Sequence, residues 1–312
     1  MSNPKGNKAF GVVVPVKDRA AVVGRTLDSI GAQTWRPMHL YLVDNGSTDG
    51  TLQVLQEWKQ AHEAPDFQVD ILTESRPGGS AARQRGLEAV QEEYLCFFDS
   101  DDLMKPGMVA TVMEAFAGEG RPELVLFDSE VRREDSTVSR RPQRSGDPLW
   151  QHFHHSTLYT LGYAATTDLY RRAGGWNPDL RIWDDWELGL RLLLQHPRMK
   201  RIPQVLNAIV ISEESITGQT YFSRADRYDA PLIAAERALS AAGQTRLASL
   251  THYKRAMLAA LFAREGREDL ATPLLARALT AVTGHRRLLL RLAYAYIRRG
   301  GRGFDRILRL LW

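Results

Sequence analysis

The chain opens with short apolar runs alternating with longer segments of helical periodicity. Residues 10–15 are mostly apolar and read as a strand, and residues 20–33 follow with a helical pattern. Residues 38–44 predict a second strand, and 51–62 a helix with Leu52, Leu55 and Trp58 at helical spacing. Residues 67–72, 80–91 and 94–98 continue as strand, helix and strand. This β-α-β-α-β-α-β order predicts an α/β fold, Rossmann-like, with a mostly parallel sheet flanked by helices. A helix at 106–117 and a strand at 124–127 come next, while the polar stretch 130–147 reads as an exposed loop or hairpin. Turn chemistry at 174–178 leads into 183–194, where Leu188, Leu190, Leu192 and Leu193 predict a buried helix.

After Tyr221 the character changes. Residues 225–282 are rich in Ala, Leu, Arg and Glu and predict two or three packed helices, with 250–282 resembling a helical-repeat hairpin. The expected plan is an N-terminal tail at 1–8, an α/β domain at 9–223, an α-helical C-terminal appendage at 224–284 and a basic tail at 285–312. In that tail Phe304, Ile307, Leu308 and Leu311 fall at i, i+3, i+4 and i+7, with Arg302, Arg306 and Arg309 opposite and Trp312 at the end. The form suits an anionic membrane surface, where each basic group contributes about 1 kcal/mol; a helix packed on the protein or a dimer contact is the alternative.

Composition sharpens this. The tail carries eight Arg against one Asp, a charge of +7, so the overall +4 leaves a net −3 on the preceding 284 residues. An acidic body does not suggest a nucleic-acid binder. The lone Cys96, inside an apolar run, excludes a disulfide framework and reads as a core residue. No apolar run approaches the roughly 18–20 residues of a membrane span, and the N-terminus lacks a signal-peptide core. The expected location is cytoplasmic, peripheral on the inner face of the membrane.

The chemistry gathers where strands end, which is where ligands bind in open α/β sheets. Asp18 follows the first strand, Asp44 the second, and Asp99, Asp101 and Asp102 the fourth. Three carboxylates in four positions repel unless a cation sits among them, and Mn2+ or Mg2+ takes carboxylate oxygens while leaving room for phosphate. An acidic turn or helix cap is the plainer reading. Arg83 follows Gly78-Gly79-Ser80 and opens a helix, a setting suited to a diphosphate or nucleoside; a surface ion pair is the alternative. His152, His154 and His155 lack the partners of a tetrahedral metal site and read as loop histidines.

Five segments occur together in this order: Val12-Val-Val-Pro-Val-Lys-Asp-Arg19, Leu42-Val-Asp-Asn-Gly-Ser-Thr-Asp-Gly-Thr51, Gly78-Gly-Ser-Ala-Ala-Arg83, Phe98-Asp-Ser-Asp-Asp102 and Trp183-Asp-Asp-Trp-Glu187. Over residues 9–220 the chain resembles the inverting GT-A glycosyltransferases, family 2 in particular, which build polysaccharides and glycoconjugates. The resemblance implies a GT-A fold and transfer of a sugar from a nucleotide-sugar donor, UDP-linked above all, to a glycan or lipid-linked acceptor. It implies Asp101 as metal ligand, Asp99 at the ribose or the metal's water shell with Ser100 beside it, and Asp44 at the donor base. Pro15 and Asp18 stand at base and ribose contacts, and Asp185 stands as catalytic base. Asp184 then binds acceptor or positions a loop, and Trp183 offers a face for an acceptor sugar, with core packing as the alternative. Asp102 reads as a supporting group or helix cap, and Ser47 or Asp49 as the cap of the helix after Gly50.

The chain departs from the family pattern twice. Lys17-Asp18 stands where Tyr-Asn is common, and Val210 and Ser212 stand where an Arg or His often precedes a segment like Ser215-Ile-Thr217. A membrane-docked scaffold with a degenerate donor site, without catalysis, therefore stays open beside the enzyme. A nucleotidyltransferase lacks its basic, Gly-rich loop after the first strand.

Overall fold

The computed structural model describes residues 8–133, 135–211 and 227–312. The chain forms two compact units, 1–213 and 214–312. The boundary expected near residue 223, together with Ser212 and the Ser215-Ile-Thr217 segment, lies outside the described residues.

The first unit is built on β1 (Phe10–Val16), α1 (Val23–Gly31), β2 (Met38–Asp44), α2 (Thr51–His62), β3 (Phe67–Thr73), α3 (Gly79–Ala89) and β4 (Tyr94–Phe97). Next come β5 (Leu103–Met104), α4 (Met108–Ala117), β6 (Leu124–Arg133), β7 (Val138–Arg141), α5 (Pro148–His155), β8 (Tyr163–Thr166), α6 (Thr167–Arg172), α7 (Asp184–Leu193) and β9 (Met199–Ile211). They form one sheet in the order β3-β2-β1-β4-β8-β6-β9-β5, with β7 paired to β6. The four strands expected at the start are parallel, as predicted, and β8 then runs antiparallel to both β4 and β6.

The apolar strands are explained by burial on both faces. On β1, Val12, Val14 and Val16 join the core beneath α1, α2 and α4, while Val13 joins the opposite core with α3 and α7. Successive side chains reach opposite cores, so an amphipathic alternation would leave one of them unfilled. The polar stretch 130–147 resolves into the β6–β7 hairpin and the approach to α5. Its anchor is Asp128, fully buried at a bulge in β6; it accepts from the Gln143 amide (2.7 Å) and Arg140 Nε (2.9 Å).

The second unit comprises α8 (Asp229–Ala241), α9 (Thr245–Arg264), α10 (Glu268–Thr280), α11 (Gly284–Arg298) and α12 (Phe304–Leu311). α9 packs against α8, α10 and α11. The apolar stripe expected in the tail is divided by the fold. Phe304, Leu308 and Trp312 are buried, whereas Ile307 and Leu311 are exposed. The inward set recurs every four residues, and Trp312 donates its indole N–H to Ser249 Oγ on α9 (3.2 Å). Among the described residues no helix is long and apolar enough to cross a membrane.

Candidate active site

The strand ends are tied together by loops of short polar residues. Asp18 adopts the left-handed conformation (φ 49°), which aspartate tolerates better than most residues. Its carboxylate accepts from the Thr48 amide (2.8 Å), and its own amide donates to Ser47 Oγ (3.0 Å). Asp44, buried at the end of β2, accepts from the amides of Gly46 (3.2 Å) and Ser47 (3.3 Å), an Asx-type turn. The cap of α2 is Gly50 rather than Ser47 or Asp49; Asp49 instead accepts from the Thr51 and Ala20 amides (3.0 Å each).

Asn45 does more than the turn role expected of it. Its amide donates to the Val16 carbonyl (2.8 Å), and its side-chain nitrogen to the carbonyls of Glu74 (2.8 Å) and Arg76 (2.7 Å). Its side-chain oxygen accepts from the Gly78 amide (2.6 Å). One residue thus fastens the ends of β1, β2 and β3, beside half-buried Pro15. The turn it leads to needs glycine: Gly78 has φ 117°, and a Cβ there would stand 1.9 Å from Arg181 Nη1.

The carboxylates after β4 sit differently from one another. Ser100 is buried, and its carbonyl accepts from Thr26 Oγ1 (3.0 Å). The Asp101 carbonyl accepts from Arg25 (3.1 Å), while its carboxylate has Arg19 at 3.8 Å. Burial, then the charge of Asp99, raises the Asp101 pKa. Asp102 is no helix cap, because α4 starts only at Met108 behind Gly107. It accepts instead from the Val210 amide (2.7 Å), tying the carboxylate loop to β9. Burial, with Asp99 and Asp101 nearby, pushes its carboxyl up to about 9.

Arg83 joins the two halves of the site. Emerging from α3, it donates to Asp99 (2.6 Å) and to Asp184 at the start of α7 (3.0 Å), and Asp184 also accepts from Ser80 Oγ (2.7 Å). Its guanidinium lies 4.8 Å from the ring of buried Trp176. Burial opposes its charge, but Asp99 and Asp184 outweigh it and hold the pKa above the usual arginine value. The surface ion pair considered from sequence is replaced by a largely enclosed one, with 13% of the Arg83 side chain exposed.

Asp185 follows, half-buried, with one oxygen accepting from the Trp186 amide (2.7 Å). Burial, then the neighbouring Asp184, pushes its carboxyl up to about 6, with Arg141 and Arg83 pulling the other way. Trp183 occupies the left-handed conformation (φ 51°) just before them, its ring edge-on to Trp186 at 5.7 Å. Trp186 itself is buried in the core. The histidines expected in a loop lie on α5, and His152 is fully buried. The Leu158 amide donates to its Nδ1 (2.9 Å), so Nε2 carries the proton and donates to the Trp186 carbonyl (2.8 Å). It therefore holds the first turn of α7. Arg141, on a hairpin that reads from sequence as solvent-exposed, rests over the Tyr159 ring (3.6 Å) within electrostatic reach of Asp185.

Carboxylates gathered at the carboxyl edge of a mixed α/β sheet, with an acidic pair opening a later helix, accord with the GT-A fold of the glycosyltransferases. Residues 11–174, more than half the chain, match Glycosyl transferase family 2, and the chain belongs to that family. It is 26% identical over 186 residues to the PGL/p-HBAD biosynthesis glycosyltransferase of Mycobacterium bovis (strain BCG / Pasteur 1173P2), covering 58% of this chain and 68% of that one. It is 28% identical over 104 residues to the uncharacterized glycosyltransferase YibD of Escherichia coli (strain K12), covering 33% of this chain and only 29% of YibD. In fold it resembles S. aureus TarS 1–349, solved with UDP-GlcNAc (TM-score 0.72, 17% identity, 92% of this chain and 87% of that one). It also resembles the mannosyltransferase PcManGT of Pyrobaculum calidifontis, solved with GDP-Man and Mn2+ (TM-score 0.57, 19% identity, 94% and 81%).

Proposed function

We propose that this glycosyltransferase is metal-dependent and inverting, moving a sugar from a UDP-linked donor to a hydroxyl of a glycan or lipid-linked acceptor at the inner membrane face. The observation that carries the reading is the Arg83 bridge, which draws together Asp99, the proposed donor-side carboxylate, and Asp184, the neighbour of the proposed base.

In a single displacement the acceptor oxygen attacks the anomeric carbon from the face opposite the diphosphate. The new C–O bond forms as the bond to the diphosphate oxygen breaks, and that electron pair leaves with the nucleotide. Asp185 takes the acceptor proton, a role suited by a carboxyl pushed up to about 6. Asp184, fixed by Arg83 and Ser80, orients the acceptor, and the Trp183 ring offers it a face. Asp44 accepts an imide N–H of the base, with Pro15, Asp18 and Ser100 lining the nucleoside side.

The residues present fit a divalent cation. The charge of Asp99 opposes ionisation of Asp101, and among the described residues the guanidinium nearest the Asp101 carboxylate is that of Arg19 at 3.8 Å, too far for a hydrogen bond. Among the described residues no group of three or more His, Cys, Asp or Glu is placed to hold a metal. Mn2+ or Mg2+ can be held by one or two carboxylates, with phosphate and water completing the shell. Asp101 would hold the ion, with Asp99 as the second candidate carboxylate. When bound, the ion supplies Lewis-acid stabilisation to the departing diphosphate.

Thermal unfolding with UDP, GDP, dTDP and CMP, each with and without Mn2+, tests this. A ligand at 100 times its dissociation constant adds about 2.7 kcal/mol. Stabilisation by UDP that requires Mn2+ is expected; no shift with any nucleotide would overturn the donor site.

A further inference from the structure

Folding leaves the second unit with an apolar face that its own packing does not use. Of the seven exposed large apolar side chains among the described residues, five lie on α11 and α12: Leu288, Leu292, Tyr296, Ile307 and Leu311, each 44–58% exposed. On α11 they recur every four residues and so share one side, while Leu289, Leu290, Ala293 and Ile297 fill the bundle. On α12 the inward positions are Phe304, Leu308 and Trp312. Trp312 is bound to Ser249 and has Arg286 5.5 Å from its ring. The two helices are joined where Tyr296 donates its hydroxyl to the Arg302 carbonyl (3.1 Å).

Cations flank this face: by helical spacing Arg287, Arg291 and Arg298 line the adjoining side of α11, and Arg299 falls at the end of the apolar side. Arg287, Arg291, Arg298, Arg299 and Arg302 are exposed on α11 and the turn after it. Arg298 is paired with Glu268, whereas the other four have no ion pair among the described residues. Arginine stems lie along apolar surface while their heads stay in water, and tyrosine suits the same boundary. Two copies packed face to face would bring these charges together without compensation. An anionic lipid surface compensates them and accepts the apolar side chains at its headgroup boundary.

We propose that Leu288, Leu292, Tyr296, Ile307 and Leu311 form a two-helix surface that docks into an anionic membrane interface, a proposal resting on the membrane-face reading above. The stripe legible in the sequence is not the docking face, since two of its four members, Phe304 and Leu308, are used internally.

Co-sedimentation of the full chain with phosphatidylcholine vesicles, with and without phosphatidylglycerol, tests it. The chain is expected on anionic vesicles only, released by salt. Leu292→Glu combined with Leu311→Glu should weaken the partition about tenfold or more, leaving the unfolding temperature and nucleotide binding unchanged. Arg287→Gln with Arg291→Gln should weaken it by a smaller factor. If the wild-type chain ignores anionic vesicles, the membrane reading and the docking face both fall. If it binds and the double glutamate variant binds equally, membrane association stands and this face is overturned. If that variant instead converts a dimer to a monomer in sedimentation velocity, the occupant is a second copy and the proposal fails.

Discussion

Arg83 donates to Asp184 at 3.0 Å across 101 residues of chain, while its other terminal nitrogen holds Asp99. A lysine in its place keeps the charge but has no fork to reach both carboxylates. Removing one member of a largely buried charged pair costs about 3–5 kcal/mol, because the remaining charges lose their partner. Arg83→Ala is therefore expected to lose about 3 kcal/mol in urea unfolding and nearly all transfer. Arg83→Lys is expected to recover part of the stability and little activity. In a double-mutant cycle with Asp184→Asn, a coupling above about 0.5 kcal/mol is expected; additive losses would show that the bridge is incidental.

The raised pKa of Asp185 predicts the shape of the pH profile. A base works only when ionised, so kcat/KM should fall as pH drops through about 6. Asp184 raises that value and Arg141 lowers it. Asp184→Asn should consequently move the acidic limb to lower pH, and Arg141→Gln should move it higher. Asp185→Asn should cost a factor on the order of 100 to 10,000 in transfer with donor binding nearly intact. Equal loss of binding and transfer, or a limb that stays put in both neighbours, would remove Asp185 from the role of base.

Asp101 should report on the metal. In Asp101→Ala, donor affinity in the presence of Mn2+ is expected to fall toward its metal-free value, measured by calorimetry. The same substitution should leave the chain at least as stable without metal, because it removes a half-buried carboxylate whose ionisation Asp99 opposes. An Mn2+ dependence identical to wild type would take Asp101 out of the metal site.

Much of the architecture was legible because the physics involved is local. Two-sided burial makes β1 a continuous apolar run and β2 one broken only by His39 before its terminal Asp44, and the acids fall where those strands end. What could not be read is set by pairings distant in sequence. Nothing near Asp102 announces that its partner is the amide of Val210, 108 residues on. Asn45 is suited to a turn on composition alone, and only the adjacency of β1, β2 and β3 makes it a fastener. Arg141 lies in a polar stretch, yet the β6–β7 pairing brings it toward Asp185. In the tail the sequence offers an apolar helix face, but which of its residues α9 will cover depends on the bundle.

Gly189 separates local propensity from tertiary fit. It lies inside α7, where alanine is intrinsically the better helix former by about 1 kcal/mol. Propensity alone therefore predicts that Gly189→Ala stabilises. The packing predicts the opposite: an added Cβ would stand 2.3 Å from His152 Nε2 and 3.0 Å from Leu158 Cβ. Nε2 is the atom that donates to the Trp186 carbonyl, so the methyl displaces the histidine from the turn carrying Asp185. A buried acceptor left unpaired costs about 1–3 kcal/mol, and forced overpacking a similar amount, which together exceed the helix gain. Gly189→Ala is expected to be destabilised by about 2 kcal/mol in urea unfolding, with kcat falling more than donor affinity because the displaced turn holds the base rather than the nucleotide. A stabilised and fully active variant would show that α7 shifts freely on α5, and that His152 does not fix the position of Asp185.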